Sequence, residues 1–461
     1  METGVDMDTK TGVWGFSGGA VALAVVLSLS GVALAQPAAD AVNVPVANPG
    51  SAATPPANTV SDPVIQPLPV LEPLMFWTKG NALALLDAIQ DIGSEGLIPA
   101  DYQPDVLAAA IEAGEGDALD VAASKSFSWL AEDLRDGRTP MKARVQWFAV
   151  DPDQDEMPTE ELMARALTLH DVGGVLARLT PTHPDYQALK DELAITPKEQ
   201  TERRALIQAN MDRWRWLRRD LGKAYLITNV PEFQLRLTVN DKIIRTYRTV
   251  VGKPGRSATP QLAETVSGVV FNPTWTVPQS IVKGEGLGRR VLANPAWARS
   301  QGYKAIRGAD GTIYVVQQPG PGNSLGLMKI DIPNPHAIYF HDTPAKSLFN
   351  RDVRAFSHGC IRTERAVELG MTLAILGAGM DPGEAADISR SGKYTKVAMN
   401  RTFPAYITYF TFARSIDGDL RKFGDIYGRD KPVLDSFQVQ RQPKTSQRKS
   451  DEEIIQLDNP L

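Results

Sequence analysis

The residue types with the greatest capacity for chemistry lie in one stretch that holds the only cysteine and two of the five histidines. It contains Tyr339-Phe340-His341-Asp342-Thr343 and then Ser357-His358-Gly359-Cys360-Ile361-Arg362. A cysteine is a good nucleophile only as the thiolate, and a neighbouring imidazole can take the thiol proton. The stretch therefore predicts Cys360 as a nucleophile with a histidine as its general base, paired as thiolate and imidazolium.

Two histidines compete for the role of base. His358 lies two residues before Cys360, whereas His341 lies at the end of a predicted strand, nineteen residues upstream. The fold, rather than sequence adjacency, places a base, so spacing leaves both candidates open. A lone cysteine is also often a small buried apolar residue, and the residues alone leave that alternative open.

The backbone around Cys360 could stabilise an oxyanion. The N–H groups of Gly359 and Cys360 are predicted to point the same way, toward the oxygen of a tetrahedral intermediate. Glycine before the nucleophile lets substrate approach the backbone closely. A helix predicted from Thr363 to Leu376, directly after Cys360, would lower the thiol pKa through its dipole.

These residues need a sheet to position them. Lys223–Val230, Phe233–Val239 and Ile243–Val251 are rich in β-branched and aromatic residues, which predicts a β-meander. We interpret residues 221–380 as a mainly-β catalytic domain. A C-terminal extension that packs on it (381–435) and a polar tail (436–461) follow.

The preceding region, residues 74–220, is predicted to be helical. Apolar residues recur at helical spacing in two stripes, which predicts helices that bury one face each. A third helix is predicted from Pro197 to Arg218, and its arginines are interpreted as a solvated helix face at a domain junction. The first stripe is Leu85, Ile89 and Ile92, the second is Phe127, Leu130 and Leu134, and the arginines are Arg213, Arg215, Arg218 and Arg219.

The N-terminus has the composition of an export signal. Residues 11–35 carry no charge, and Ala33-Leu34-Ala35 has the small-x-small form of a signal-peptidase site. The same run is long enough to anchor the chain in the inner membrane, so residues 1–35 are a signal peptide or an anchor. Residues 36–73, rich in proline and alanine, are predicted to be a linker. Both interpretations place the remaining chain in the periplasm.

Bulk composition excludes several function classes. The 461 residues are too many for one ordinary core, so at least two folded units are expected. A net charge of −5 gives no signature of nucleic-acid binding. A single cysteine excludes a disulfide within the chain, and no cluster of cysteine and histidine suits structural zinc. We therefore predict no metal, no cofactor and no nucleic-acid partner.

Several separated blocks together resemble the L,D-transpeptidase family with its YkuD-type catalytic domain. The central match is His341 followed by Ser357-His358-Gly359-Cys360-Ile361-Arg362. The blocks Phe271–Pro278, Pro319–Asn323 and Arg213–Leu217 are similar to the YcbB-like branch of that family. That branch commonly carries a small peptidoglycan-binding domain after the helical part, and the interval between Tyr186 and Arg213 is too short to hold one.

The resemblance implies an α+β fold and a set of roles. A helical scaffold domain would precede a β-sandwich-like catalytic domain with a capping insertion at about 279–318. Cys360 would be the nucleophile, His341 the base, and a backbone carbonyl near Asp342 would orient the imidazole. His358 and Gly359, with the Cys360 N–H, would line the oxyanion site. The residues expected to contact substrate are Arg362, Tyr339, Trp275 and Ser357.

The resemblance also implies a substrate and a reaction. Peptidoglycan tetrapeptide stems would be both donor and acceptor, with D-alanine released and a 3→3 crosslink formed through a thioester. Carbapenem β-lactams would acylate Cys360 as covalent inhibitors. Water as acceptor would instead make an L,D-carboxypeptidase or endopeptidase, and a lipoprotein lysine would make an anchoring enzyme. A non-enzymatic alternative is an inactive wall-binding scaffold.

Overall fold

The computed structural model describes residues 73–441 and residue 443, which belong to one compact unit. The predicted signal peptide or anchor (1–35) and nearly all of the predicted linker (36–73) lie outside the described residues. Residues 444–461 of the predicted polar tail lie outside them as well. Within the described part of the chain, no helix is long and apolar enough to cross a membrane.

The first part of the described chain is helical, as predicted. Both predicted stripes are buried in one apolar core, in which the long helix Asp117–Asp136 is central. That helix ends at Asp136, and Gly137, with a φ of +89°, forms its C-cap. The helices are α1 (Lys79–Asp91), α2 (Pro104–Ala113), α3 (Asp117–Asp136), α4 (Asp153–Glu156), α5 (Thr159–Leu169), α6 (Val172–Ala177), α7 (Pro184–Ile195) and α8 (Thr201–Trp214), with 3₁₀ turns at Ile92–Glu95, Pro99–Tyr102 and Met141–Ala143.

The arginines at the end of α8 do not form the solvated face that the sequence suggested. Arg213 and Arg215 are buried. Arg213 pairs with Asp430 at 2.7 Å, and Arg215 donates to the Tyr186 hydroxyl at 2.6 Å. A buried guanidinium requires such partners because desolvation is costly. The sequence could not reveal this, since Asp430 lies more than 200 residues away.

The second part is mainly β, which confirms the predicted fold class. Eleven strands of the described chain form one curled sheet in the order β13-β5-β9-β10-β12-β3-β2-β1-β14-β4, with β11 pairing β3. The first three strands form the predicted antiparallel meander. The strands are β1 (Ala224–Asn229), β2 (Gln234–Val239), β3 (Lys242–Gly252), β4 (Leu262–Thr265), β5 (Gly268–Phe271), β6 (Trp275–Thr276), β7 (Tyr303–Arg307), β8 (Ile313–Gln317), β9 (Met328–Asp331), β10 (Phe340–His341), β11 (Ala355–Ser357), β12 (Ile361–Thr363), β13 (Thr395–Ala398), β14 (Pro404–Thr408), β15 (Phe412–Arg414) and β16 (Leu420–Lys422).

An excursion between β5 and β9, residues 275–317, forms what we call the cap. Strands β6, β8 and β7 make a small antiparallel sheet, and three short helices pack on it. Asn323 ties the two ends of the cap together, because its amide donates to the Pro273 and Gln318 carbonyls at 3.0 and 2.9 Å. The helices are α9 (Gln279–Gly284), α10 (Leu287–Ala293) and α11 (Pro295–Ser300), and the small core is Val277, Val282, Val291, Ala298 and Val315.

The helix predicted directly after Cys360 begins later than expected. Strand β12 intervenes, and α12 spans Ala366–Ala378. Its residues Leu369 and Leu373 are buried in the main sheet core. Five residues, three of them in β12, therefore separate the nucleophile from the helix. The predicted dipole effect on Cys360 is wrong, because a helix dipole acts mainly within its first turn.

The last described residues pack against the helical region. After a 3₁₀ turn at Lys346–Asn350, the remaining helices are α13 (Pro382–Arg390) and α14 (Asp430–Ser436). Arg441, at the start of the predicted polar tail, is buried and binds Asp133 of α3 at 2.8 Å. Glu132 pairs with the same guanidinium. The first residues of that tail are thus a strap across α3.

Candidate active site

The residues Ser357–Cys360, here called the catalytic turn, are fixed by hydrogen bonds inside the protein. The buried Ser357 hydroxyl donates to the Cys360 carbonyl at 2.6 Å and accepts from the Gly359 N–H at 3.1 Å. The Thr259 hydroxyl donates to the Gly359 carbonyl at 2.7 Å. These bonds leave the Cys360 side chain half-buried at the tip of the turn, with Sγ 3.5 Å from the Ala337 carbonyl.

Gly359 has a backbone conformation that side chains disfavour. Its φ is +124°, and a Cβ there would come within 3.1 Å of Ile338 Cδ1. Glycine tolerates this region without steric cost. The sequence therefore needs glycine here for the geometry of the turn itself, in addition to the close approach of substrate that we predicted.

His341 lies on the strand beside the one that begins after Cys360. Strand β10 pairs in parallel with β12, so that His341 is opposite Arg362 and Phe340 is opposite Ile361. His341 Nδ1 is 2.5 Å from the carbonyl oxygen of Asp342, as the resemblance implied for that neighbourhood. A carbonyl can only accept, so Nδ1 carries the proton and Nε2 keeps its lone pair.

The Asp342 side chain supports the position of His341, a role that the sequence motif alone did not indicate. Its buried carboxylate accepts from the Leu327 N–H at 3.0 Å and pairs with Lys346. Its own N–H donates to the Met328 carbonyl at 2.8 Å. These contacts fix the peptide whose carbonyl holds His341. In the sequence, this role could be suspected only from the position of Asp342 directly after the proposed base.

The pKa values of the pair favour two neutral groups. Burial lowers the pKa of His341 to about 3, and the positive charge of Arg362 acts in the same direction. Burial raises the pKa of the Cys360 thiol. The resting site therefore holds a thiol and a neutral imidazole, which differs from the thiolate–imidazolium pair expected from the sequence. The reason is that burial penalises both charged forms.

The oxyanion donors are fewer than the sequence suggested. The Gly359 N–H is already bonded to the Ser357 hydroxyl, so it does not point into open space. The Cys360 N–H makes no hydrogen bond to any described residue, so it remains available to an oxyanion. The His358 side chain is half-exposed and lies 2.9 Å from Glu285 of the cap. His358 thus joins the catalytic turn to the cap.

The four residues expected to contact substrate take up different places. The Tyr339 phenol lies beside both Cys360 and Trp275: burial and Cys360 raise its pKa, whereas the Trp275 side chain lowers it. Burial lowers the pKa of Arg362 while the nearby Cys360 acts in the opposite direction, and Arg362 Nε is buried without a hydrogen-bond partner among the described residues. The Ser357 hydroxyl, by contrast, forms its hydrogen bond inside the catalytic turn, with the Cys360 carbonyl.

Sequence reasoning missed two groups that the fold brings to the site. Thr259 braces the Gly359 carbonyl from a loop one hundred residues away, and no local signal marks it. Lys329 lies opposite His341 in the sheet. Its alternation with the buried Met328 and Ile330 could have placed it on the polar face of a strand.

No resident metal centre is evident in the part of the chain that the structure describes. Between residues 73 and 441, no group of three histidine, cysteine, aspartate or glutamate side chains is placed to hold a metal ion.

Known protein families match two separate regions of the chain. A family model described as the L,D-transpeptidase catalytic domain (YkuD) matches residues 223–371, and one described as the Scaffold domain matches residues 73–193. A putative L,D-transpeptidase of Haemophilus influenzae is 29% identical over 223 residues, a match that spans 45% of each chain. The chain thus spans less than half the length of this relative.

Two solved structures are similar at low identity. An L,D-transpeptidase from Mycobacterium smegmatis is 13% identical and has a TM-score of 0.21, with 41% of this chain and 59% of that chain covered. An L,D-transpeptidase in complex with imipenem is 15% identical with a TM-score of 0.20, over 40% and 59%. From the family models and the curated relative, we conclude that this chain carries an L,D-transpeptidase catalytic domain of the YkuD family behind a Scaffold domain.

Proposed function

We propose that this protein is a peptidoglycan L,D-transpeptidase that works through a Cys360 acyl-enzyme. One observation carries the proposal. The parallel pairing of β10 with β12 brings His341, whose Nδ1 is bonded to the Asp342 carbonyl, beside the strand that starts directly after Cys360. A nucleophile, a base and a group that orients the base are the parts that acyl transfer requires.

The first half-reaction forms a thioester. His341 Nε2 takes the thiol proton as Cys360 Sγ attacks the carbonyl carbon of the third stem residue, a diamino acid. The carbonyl oxygen becomes an oxyanion, which the Cys360 N–H stabilises. Collapse of this intermediate breaks the C–N bond, and His341 returns the proton to the nitrogen, so that D-alanine leaves. Because both partners start neutral, proton transfer accompanies attack.

The second half-reaction regenerates the thiol. The side-chain amine of a second stem attacks the thioester carbon, and His341 takes a proton from that nitrogen. The C–S bond then breaks, the proton passes to Sγ, and a 3→3 crosslink is released. Water as acceptor would give a carboxypeptidase or endopeptidase, and a lipoprotein lysine would give an anchored lipoprotein. The cap is proposed to influence this step, because its Glu285 contacts His358 of the catalytic turn.

The roles of the surrounding residues follow from their partners. Arg362 is proposed to bind a stem carboxylate, because the guanidinium has a buried Nε atom that no described residue satisfies. A buried donor of this kind favours an anionic ligand. Tyr339 and Trp275 are proposed to line the donor groove. Ser357 is proposed to hold the turn rather than to contact substrate, and Gly359 and His358 shape its backbone.

Inhibition and location are part of the same proposal. A carbapenem presents a strained amide carbonyl, and Cys360 is proposed to open it to a stable thioester. Peptidoglycan stems are periplasmic, so the protein is proposed to work there after export directed by residues 1–35. Residues 11–35 are proposed as an inner-membrane anchor if they are not removed.

The test uses the purified protein and tetrapeptide muropeptides, with products read by mass spectrometry. We expect a 3→3 dimer from the wild type and no product from Cys360→Ala, because removal of the nucleophile leaves at most the residual effect of binding. Tripeptide alone would favour the hydrolase, and no change with the wild type would favour an inactive scaffold. A melting temperature equal to that of the wild type confirms that Cys360→Ala is folded.

A further inference from the structure

A row of three polar side chains crosses the sheet beside the nucleophile. Lys329 on β9 and Arg362 on β12 both lie opposite His341 on β10. Directly opposed residues in a sheet project from the same face. Neighbouring strands lie about 4.8 Å apart, so the Cα atoms of Lys329 and Arg362 lie about 10 Å apart, with the proposed base on the strand between them.

The alternation along each strand confirms which face this is. Met328 and Ile330 on β9, with Phe340 on β10 and Ile361 on β12, are buried in the main core. Their neighbours in sequence, Lys329 among them, therefore lie on the opposite face. That face carries Cys360 at the start of β12, so Lys329 belongs to the surface of the active site.

Lys329 is held there by two contacts. Its ammonium lies 2.6 Å from Asp331 Oδ1, two residues along the same face, and 4.5 Å from the centre of the Tyr339 ring. The Lys329 side chain is only 27% exposed, so its charge is partly shielded from water. A cation over a phenol ring at this distance is attracted to the ring face. Tyr339 in turn lies beside Cys360 and 5.6 Å from the His341 ring.

We propose that Lys329 is a positioning residue of acyl transfer: its ammonium holds the Tyr339 ring beside the nucleophile and, with Arg362, supplies the positive charge that flanks His341. This inference rests on the proposed function, in which Cys360 and His341 are nucleophile and base. It adds a residue outside the His341 and Cys360 motif.

The charge of Lys329 acts on both partners in the same direction. A nearby cation favours thiolate over thiol and neutral imidazole over imidazolium. Lys329 indeed lowers the pKa of both Cys360 and His341, although burial outweighs it at the thiol. The site therefore keeps His341 free to accept a proton while making the thiol easier to ionise. The other charged or titratable groups around the pair are Arg362, Tyr339, Asp331, Asp342, Lys346, Lys396, His358 and Glu285.

The chain offers a matched control for this charge. Lys396 on β13 lies 3.4 Å from Asp331 Oδ2, so it shares the carboxylate that holds Lys329. It is half-exposed and lies two strands further from His341. If Lys329 acted only through Asp331, a substitution of Lys396 would therefore have the same effect as a substitution of Lys329. Asp331→Asn provides the opposite change, because it removes the anion that partly neutralises Lys329.

The experiment measures the pH dependence of alkylation of Cys360 by iodoacetamide, which reports the thiolate of the single cysteine. For Lys329→Met, we expect the midpoint to rise by about 0.5–1 pH unit, from the loss of one partly screened charge. Acylation by a carbapenem at neutral pH should slow by roughly 10-fold. Lys329→Arg should restore both quantities, Lys396→Met should change neither, and Asp331→Asn should lower the midpoint.

Two results would overturn the inference. One is an alkylation midpoint in Lys329→Met equal to that of the wild type. The other is an equal shift of the alkylation midpoint in Lys329→Met and Lys396→Met, which would indicate an effect through Asp331 alone. If Lys329→Met fails to fold, Lys329→Gln replaces it, and a wild-type midpoint in that variant overturns the inference. Failure of the proposed function is distinct, since the wild type itself would then form no acyl-enzyme.

Discussion

The catalytic turn and the cap touch each other, yet they are held by different kinds of contact. The turn is fixed from within the catalytic domain by buried hydrogen bonds through Ser357 and Thr259. The cap has a small apolar core of its own. The ion pair that connects the two, His358 with Glu285, has both side chains at least half-exposed.

The difference separates two tasks. Acyl transfer requires the nucleophile, base and oxyanion donor to be placed within a fraction of an ångström, which buried hydrogen bonds can ensure. Admission of a second stem requires a part that can move, and exposed ion pairs contribute little rigidity. We therefore expect changes in the turn to affect the rate of acylation and changes in the cap to affect the choice of acceptor.

The largest effect is expected at the base. In His341→Gln the side chain can still donate to the Asp342 carbonyl but can no longer accept the thiol proton. General base catalysis contributes about 10²–10⁴-fold, so acylation by a carbapenem should slow by about 10³-fold. Intact mass against time measures this. His170→Gln, at an exposed helix end, is the control, and full-rate labelling of His341→Gln would assign the base elsewhere.

The next effect concerns the turn itself. Ser357→Ala removes the donor to the Cys360 carbonyl and leaves the buried Gly359 N–H without its acceptor. An unsatisfied buried group costs about 1–3 kcal/mol, which should appear in the free energy of unfolding by urea. Acylation should slow as well, because the turn loosens.

Ser389→Ala is the matched control for that change. Its hydroxyl makes a single bond to the Ala386 carbonyl, far from the turn. If both serine variants lose equal stability and neither slows acylation, the turn does not depend on Ser357.

A pH effect on stability is expected to be smaller. The pKa of His341 is about 3 in the folded protein and about 6.5 when unfolded. The unfolded state binds the extra proton between these values, so stability falls as pH drops below 6.5. At pH 5.5 this amounts to about 1.4 kcal/mol relative to pH 8. The loss between these two pH values should therefore be larger in the wild type than in His341→Gln, and equal losses would contradict the buried neutral imidazole.

The comparison also shows what the sequence could reveal. The meander and the helical stripes are local patterns, and each predicted its element correctly. The partners of Arg213 and the brace from Thr259 come from residues about 100 to 200 positions away, so no local pattern contains them. The start of α12 was misplaced because a short strand, β12, has too few residues to show a period.

The electrostatic state of the site was also beyond the sequence. Residue types alone predicted a thiolate beside an imidazolium, since opposite charges on neighbouring groups favour both charged forms. Burial of His341 reverses that preference, and burial depends on the whole sheet. The cap core, by contrast, is made by four valines and Ala298 spread from residue 277 to residue 315, so no single local pattern marks it.

The smallest effect is expected at the contact between cap and turn. Glu285→Gln removes the charge that pairs with His358, and an exposed pair of this kind contributes about 0–1 kcal/mol. Acylation should stay within about two-fold of the wild type, because the turn keeps its internal bonds. A looser cap admits more water to the thioester, so the ratio of 3→3 dimer to tripeptide should fall. Asp387→Asn, which breaks an equally short exposed pair with Arg390, is the control. A slowed acylation with an unchanged product ratio would reverse the assignment, because the cap would then act on the nucleophile and not on the acceptor.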